Sequence, residues 1–220
     1  MDLGVVYSRH SVRSYTEVPL EAGLIDRLNE CVEAFNIASG LAIKLVTNEP
    51  EAFGTSIIAK YGKFKNANNY LCMIGPKGYE EQVGYYGEKI VLEAQKLGLN
   101  TCWVGLSFKK SKIKMHVDDN MKIYALIAIG YGANQGSTHK IKQPLQICPN
   151  ICQSPDWVQR GVNCALLAPS AMNQQQFRFK WLGERRVRAY SSFGFYTKID
   201  LGIAKCHFEI GANPISVDWV

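Results

Sequence analysis

The order helix, strand, loop, helix, Gly-x-Asn, strand occurs twice in this chain, and a doubled unit narrows the folds open to it. Laying Asn163–Lys180 on Asn29–Val46 needs one constant offset of 134 residues and no gap. Asn163 then falls on Asn29, Ala168 on Ala34, and Phe177-Arg178-Phe179 on Ile43-Lys44-Leu45. A second offset of 113 lays Asp200–Asn213 on Gly87–Asn100, with Gly211 on Gly98 and Asn213 on Asn100. The second copy is therefore shorter in its middle by about 21 residues and stops soon after its last strand. One chain would carry both halves of what is otherwise a symmetric dimer. The expected division is a first repeat over 1–147 and a second over 148–220.

The elements follow from hydrophobic spacing. Leu24, Ile25, Leu28, Val32 and Phe35 recur at helical intervals, so 20–36 is expected to be an amphipathic helix ended at Ser39-Gly40. Residues 41–47 and 70–74 read as strands, the second stopped by Gly75-Pro76. A second helix is expected over 80–98 with Ile90, Val91, Ala94 and Leu97 inward, closed by Gly98. Strands are expected at 100–105 and 123–129. Residues 133–156, rich in Gly, Asn, Gln and Pro, read as a linker.

Composition excludes several classes. With 220 residues, 47% hydrophobic and 20% charged, the chain has the balance of a globular protein rather than a disordered or fibrous one. The longest strongly apolar stretch, 124–129, is far short of a membrane span of roughly 20 residues. Leu3–Tyr7 is too short for the apolar core of a signal peptide. The seven cysteines are odd in number and scattered, which points to reduced thiols and a cytoplasmic setting. Cys148 and Cys152 have neither redox-pair spacing nor a second pair to complete a metal site. The lysines at 109, 110, 112, 114 and 122 and the arginines at 185, 186 and 188 lack interleaved aromatics, so a small anionic ligand is expected before a nucleic acid.

Four segments carry chemistry. The run Arg9-His10-Ser11-Val12-Arg13-Ser14-Tyr15, followed by Pro19-Leu20, resembles the opening Arg-x-Ser-x-Arg/Lys-x-Phe/Tyr motif of the FMN-dependent nitroreductase family. Ala168-Pro169-Ser170-Ala171-Met172-Asn173-Gln174-Gln175-Gln176-Phe177 resembles its Ala-Pro-Ser-x-x-Asn-x-Gln-Pro-Trp segment, with Gln176 and Phe177 in place of Pro and Trp. The stretch 97–105, ending Cys102-Trp103-Val104-Gly105, resembles its Gly-Leu-Gly-x-Cys-Trp-Ile-Gly stretch. Ile127–Gly132 and His139–Leu145 resemble its closing Gly-Tyr segment, basic pair and Pro. The usual member places Ala-Pro-Ser-x-x-Asn about 30 residues after the opening motif, where this chain has lost it; here the segment lies in the second copy. The resemblance thus implies a single-chain pseudo-dimer with one FMN site. The implied fold is an α+β sandwich of nitroreductase type, mainly antiparallel sheet flanked by helices.

FMN brings a dianionic phosphate, and Arg9 and Arg13 can supply guanidinium forks and Ser11 a hydroxyl. In extended backbone, residues 9, 11 and 13 point the same way. His10 lies within the same motif. Lys140 and Lys142 share that spacing and could close over the phosphate. At the ring, the resemblance assigns Ser170, Asn173 and Gln175 beside Pro169, and the backbone of Trp103, Val104 and Gly105, where glycine permits close approach. No Ser-His-Asp or metal-like spacing links the four histidines, and His207 reads as structural. A flavin would carry the chemistry while the chain positions it. The expected activity is ping-pong transfer from NADH or NADPH to a nitro, quinone or similar small-molecule acceptor. No nucleic-acid or membrane partner is expected, and the chain is expected as a monomer or weak homodimer. Two other readings stay open: a flavin-binding protein without turnover, used for storage, sensing or flavin cleavage, and a colourless interaction module that keeps only the fold.

Overall fold

The computed structural model describes residues 3–53, 64–113 and 115–220. Lys114 of the lysine cluster lies outside the described residues, as do residues 54–63. The chain divides into two compact units that interleave in sequence. One holds Arg9–Tyr79 with Ile90–Thr138, and the other Met1–Ser8, Glu80–Lys89 and His139–Val220.

The first of these units is a sheet with a helix. Helix α1 (Leu3–Ser8) precedes it in sequence and belongs to the other unit. Helix α2 (Ala22–Ser39) buries Leu28 and Val32 and ends at Gly40, whose φ of 72° lets its N–H reach the Asn36 carbonyl. Strands β1 (Lys44–Val46), β2 (Asn69–Pro76), β3 (Asn100–Val104) and β4 (Met121–Gly130) form one antiparallel sheet in the order β1-β2-β4-β3. The strand expected over 41–47 is trimmed to β1, while β2 and β4 run longer than expected. β2 is buried on both faces, which suits a central strand. On one face Tyr70, Cys72, Ile74, Leu126 and Ala128 pack with Val12, Tyr15 and Phe53; on the other, Leu20, Leu28, Ala94, Leu99 and Ile129 cluster.

Helix α3 (Glu80–Lys96) is shared between the units by sequence. It closes as the spacing predicted: Leu99 N–H reaches the Ala94 carbonyl at 2.9 Å and Gly98 N–H the Gln95 carbonyl at 3.1 Å, around Gly98 at φ +78°. That paired pattern satisfies two helix-end carbonyls.

In the second unit, helix α6 (Thr197–Ala212) is buried along most of its length. It packs on helix α5 (Asp156–Ala165) and on a three-stranded sheet of β5 (Phe177–Trp181), β6 (Arg186–Ser191) and β7 (Asp218–Trp219). Phe208 stands at the centre, with ring centroids 4.8 Å from Phe179, 5.3 Å from Trp219 and 6.4 Å from Trp157. Glycines admit the close helix approach. A Cβ on Gly84 of α3 would fall on the Ile199 carbonyl of α6, and one on Gly202 of α6 on the Glu81 carbonyl of α3. His207 is structural, as expected: it is fully buried, with Nε2 2.8 Å from Glu88 Oε1.

The linker expected over 133–156 is corrected. It holds helix α4 (Pro144–Ile147), started by Pro144 and a reciprocal capping box between Gln143 and Gln146, and a 3₁₀ turn at Ile151–Gln153. Ile147, Cys148 and Ile151 are buried. Polar composition hid three apolar anchors. All seven cysteines are free thiols. No helix among the described residues is long and apolar enough to cross a membrane.

Candidate functional site

The opening motif is extended chain tied to the sheet edge. Val12 N–H donates to the Thr101 carbonyl at 3.0 Å, Tyr15 N–H to Lys65 at 3.0 Å, and Thr16 N–H to Tyr131 at 2.8 Å. Val12 and Tyr15 are buried. Arg9, Ser11 and Arg13 each influence the Cys102 thiol. Burial raises its pKa above the ordinary value, while the Arg13 charge, a hydrogen bond from the Ser11 side chain and the Arg9 charge oppose that rise. Arg9 is 3% exposed, Ser11 is half-buried and Arg13 faces solvent. His10 is half-buried, and burial together with the Arg9 charge lowers its pKa, which keeps its ring neutral at pH 7. His10 therefore adds no positive charge to the motif at that pH.

Trp103 and Val104 close β3, whose strand partner is β4, and Gly105 follows. The Thr101 carbonyl points away from β4 to meet Val12, and the two-residue alternation sends the Trp103 backbone polar groups to that same edge. Val104 is core. Asn100, a residue the sequence reading left without a role, anchors the turn after β4: its Oδ1 accepts the Gly132 N–H at 3.1 Å and its Nδ2 donates to Gln135 at 3.1 Å. Gly136, at φ +73°, lies against His10 and the Ser11 carbonyl.

The second unit carries the Pro169–Gln175 loop. Met172, Asn173 and Gln175 all have left-handed backbones, at φ 50°, 54° and 46°. Such angles in non-glycine residues persist only where surroundings over-determine them. The surroundings are a dense network. Ser170 Oγ accepts the Gln175 N–H at 3.0 Å. The buried Gln175 amide accepts from Lys142 N–H at 2.9 Å and donates to the Lys140 carbonyl and to Asn173 Oδ1, each at 2.8 Å. Asn173 Nδ2 also donates to the Lys140 carbonyl, at 2.8 Å. Lys142 Nζ donates to the Gln174 and Gln175 carbonyls at 2.8 and 3.0 Å, so its ammonium is held by the loop. Burial, then the nearby Arg178, lowers its pKa. Lys140 is exposed.

Asp200 completes the loop and was not foreseen. Its carboxylate accepts the Ala171 N–H at 3.0 Å and Gln174 Nε2 at 2.8 Å. Burial at 2% exposure pushes its pKa up to about 6, against those two hydrogen bonds. The signal was present in the sequence: a lone carboxylate within the apolar run Ile199–Ala204. Among the described residues, no group of three or more His, Cys, Asp or Glu could hold a metal ion.

A family model described as "Putative TM nitroreductase" matches residues 4–212. No curated protein matches the chain. Among solved structures, a nitroreductase from Thermotoga maritima is 22% identical, covers 94% of this chain and 82% of its own, and superposes with a TM-score of 0.69. An FMN-dependent nitroreductase from Clostridium difficile is 19% identical, with coverages of 63% and 92% and a TM-score of 0.50. A nitroreductase from Desulfovibrio desulfuricans, solved in complex with FMN, is 17% identical, with coverages of 70% and 96% and a TM-score of 0.50. At these identities the likeness shows the fold. The α+β architecture of mainly antiparallel sheet and helices, expected from the motifs, is the one observed.

Proposed function

The chain belongs to the TM nitroreductase family, and from that premise we propose that it is an FMN-dependent oxidoreductase. NADH or NADPH would surrender a hydride, two electrons with one proton. A nitro, quinone or similar acceptor would leave with those two electrons and take its further proton from water. FMN, when bound, supplies the two-electron relay between these partners.

The observation that carries the reading is the fixed Arg9–Arg13 segment, pinned beside Cys102 by the Val12 N–H, which donates to the Thr101 carbonyl at 3.0 Å. Two guanidinium groups and a hydroxyl within this short fixed segment suit the phosphate of FMN. The neighbour solved with FMN supports that cofactor. Ser170, Asn173 and Pro169, with the Trp103–Gly105 backbone, are proposed as the groups that meet the ring. The hydrogen bonds refine the remaining roles. Lys142 and Gln175 hold the loop by their side chains, and act through it on Ser170 and Asn173. Lys140 is left as the proposed basic contact of that pair. One FMN per chain is proposed, on the strength of the unequal repeats.

Replacing Arg9 and Arg13 together by alanine removes both guanidinium groups. Without these two charge-assisted hydrogen-bond donors, FMN binding should weaken by about 100-fold or more. A fluorescence titration of FMN measures this, with circular dichroism to check the fold. Unchanged affinity in a folded variant would place the phosphate elsewhere.

A further inference from the structure

We propose that Phe193, Phe195 and Met172 form an apolar lip that selects uncharged, apolar electron acceptors. The inference rests on the oxidoreductase reading. Phe193 and Phe195 flank Gly194 between β6 and α6 and are exposed at 107% and 80%; Met172 is exposed at 79%. Three large apolar side chains left this exposed on segments that hydrogen bonds join are candidates for a contact surface.

Hydrogen bonds join the segments that carry them. Gln174 Nε2 donates to the Phe195 carbonyl at 2.9 Å. Ser192 N–H donates to the Gln176 carbonyl at 3.2 Å, and its hydroxyl lies 2.9 Å from Gln176 Oε1. Gln174 Nε2 is also held by Asp200, which accepts the Ala171 N–H beside Met172. One buried carboxylate thus fixes the Phe195 segment and the Ser170–Asn173 loop proposed to meet the flavin. Tyr196, at φ 61°, makes the turn from this segment into α6. Gly194 keeps the strap narrow: a Cβ there would lie 3.1 Å from the Thr197 methyl. The lip presents no charge of its own, so a polar or anionic acceptor gains nothing from it.

The test uses Phe193→Ser with Phe195→Ser in the FMN-loaded protein. Steady-state rates are measured with menadione, an apolar quinone, and with ferricyanide, a small anion. The expected result is a KM for menadione raised about tenfold or more, with kcat, ferricyanide KM and flavin absorbance kept. An unchanged menadione KM would overturn the proposal. So would equal losses with both acceptors, which mean a structural role. A wild-type dimer that the substitutions convert to a monomer in sedimentation would assign the patch to a second copy, and overturn it as well. Failure of the wild type to retain FMN would sink the oxidoreductase reading itself and this inference with it, and is seen before any KM is measured.

Discussion

Alanine at Gly84 or Gly202 is expected to cost about 3 kcal/mol or more and to lower Tm by roughly 6–12 °C. Each added Cβ would meet a backbone carbonyl: Ile199 for Gly84 and Glu81 for Gly202. A side chain can swing aside, but a helical carbonyl cannot move without separating α3 from α6. The two approaches are reciprocal, so either substitution prises apart the same crossing. Gly23 is the control. It lies in α2 with nothing within 4 Å of its would-be Cβ, and alanine there should stabilise by about 0.4–1 kcal/mol. Thermal unfolding of the three variants decides it. Similar small losses at all three would mean that the crossing tolerates a methyl group.

The second large effect is expected at Glu88 and His207. Both side chains are fully buried. His207 Nδ1 lies 3.3 Å from the Cys164 carbonyl oxygen, which can only accept, so Nδ1 carries a proton. Nε2, 2.8 Å from Glu88 Oε1, then shares the second proton with the carboxyl group. The pair is net neutral whichever atom holds that proton. Removing one partner strands a polar group in the core, at a cost of about 3–5 kcal/mol. Glu88→Ala and His207→Ala should each lose that much in urea unfolding. Replacing both, as Glu88→Met with His207→Leu, should recover most of it, because no stranded group remains. Single variants that lose under about 1 kcal/mol would show that the pair contributes little.

The elements that sequence revealed are those whose apolar spacing had one interpretation. Helix α3 shows Ile90, Val91 and Ala94 inward and stops at a glycine, and Ile90, Val91 and Ala94 are fully buried. Strand β4 carries the apolar run from Ile123 to Ile129, as a central strand should. Strand β6 escaped notice because its outward positions are Arg186, Arg188 and Tyr190; it reads as a charge cluster with only Val187 fully buried. Helix α4 escaped because its capping box uses Gln143 and Gln146 rather than the usual Ser and Glu.

The candidate residues divide along the same line. The spacing of Arg9, Ser11 and Arg13 is local and legible in the sequence alone. The partners of the Pro169–Gln175 loop are not local. Lys142 is 33 residues before Gln175, and Asp200 is 26 residues after Gln174. Spacing along the chain gave no hint that a lysine read as a phosphate ligand would spend its ammonium on two loop carbonyls. Nor could it show that the carboxylate of α6 would anchor Gln174.

One flavin held by one chain is the central claim. The most direct measurement is the visible absorption of the purified protein after incubation with FMN and desalting, followed by addition of NADH or NADPH without oxygen. Flavin bands near one equivalent per chain are expected, and they should bleach when the nicotinamide is added. A colourless protein would contradict the claim, and two equivalents per chain would contradict the single site.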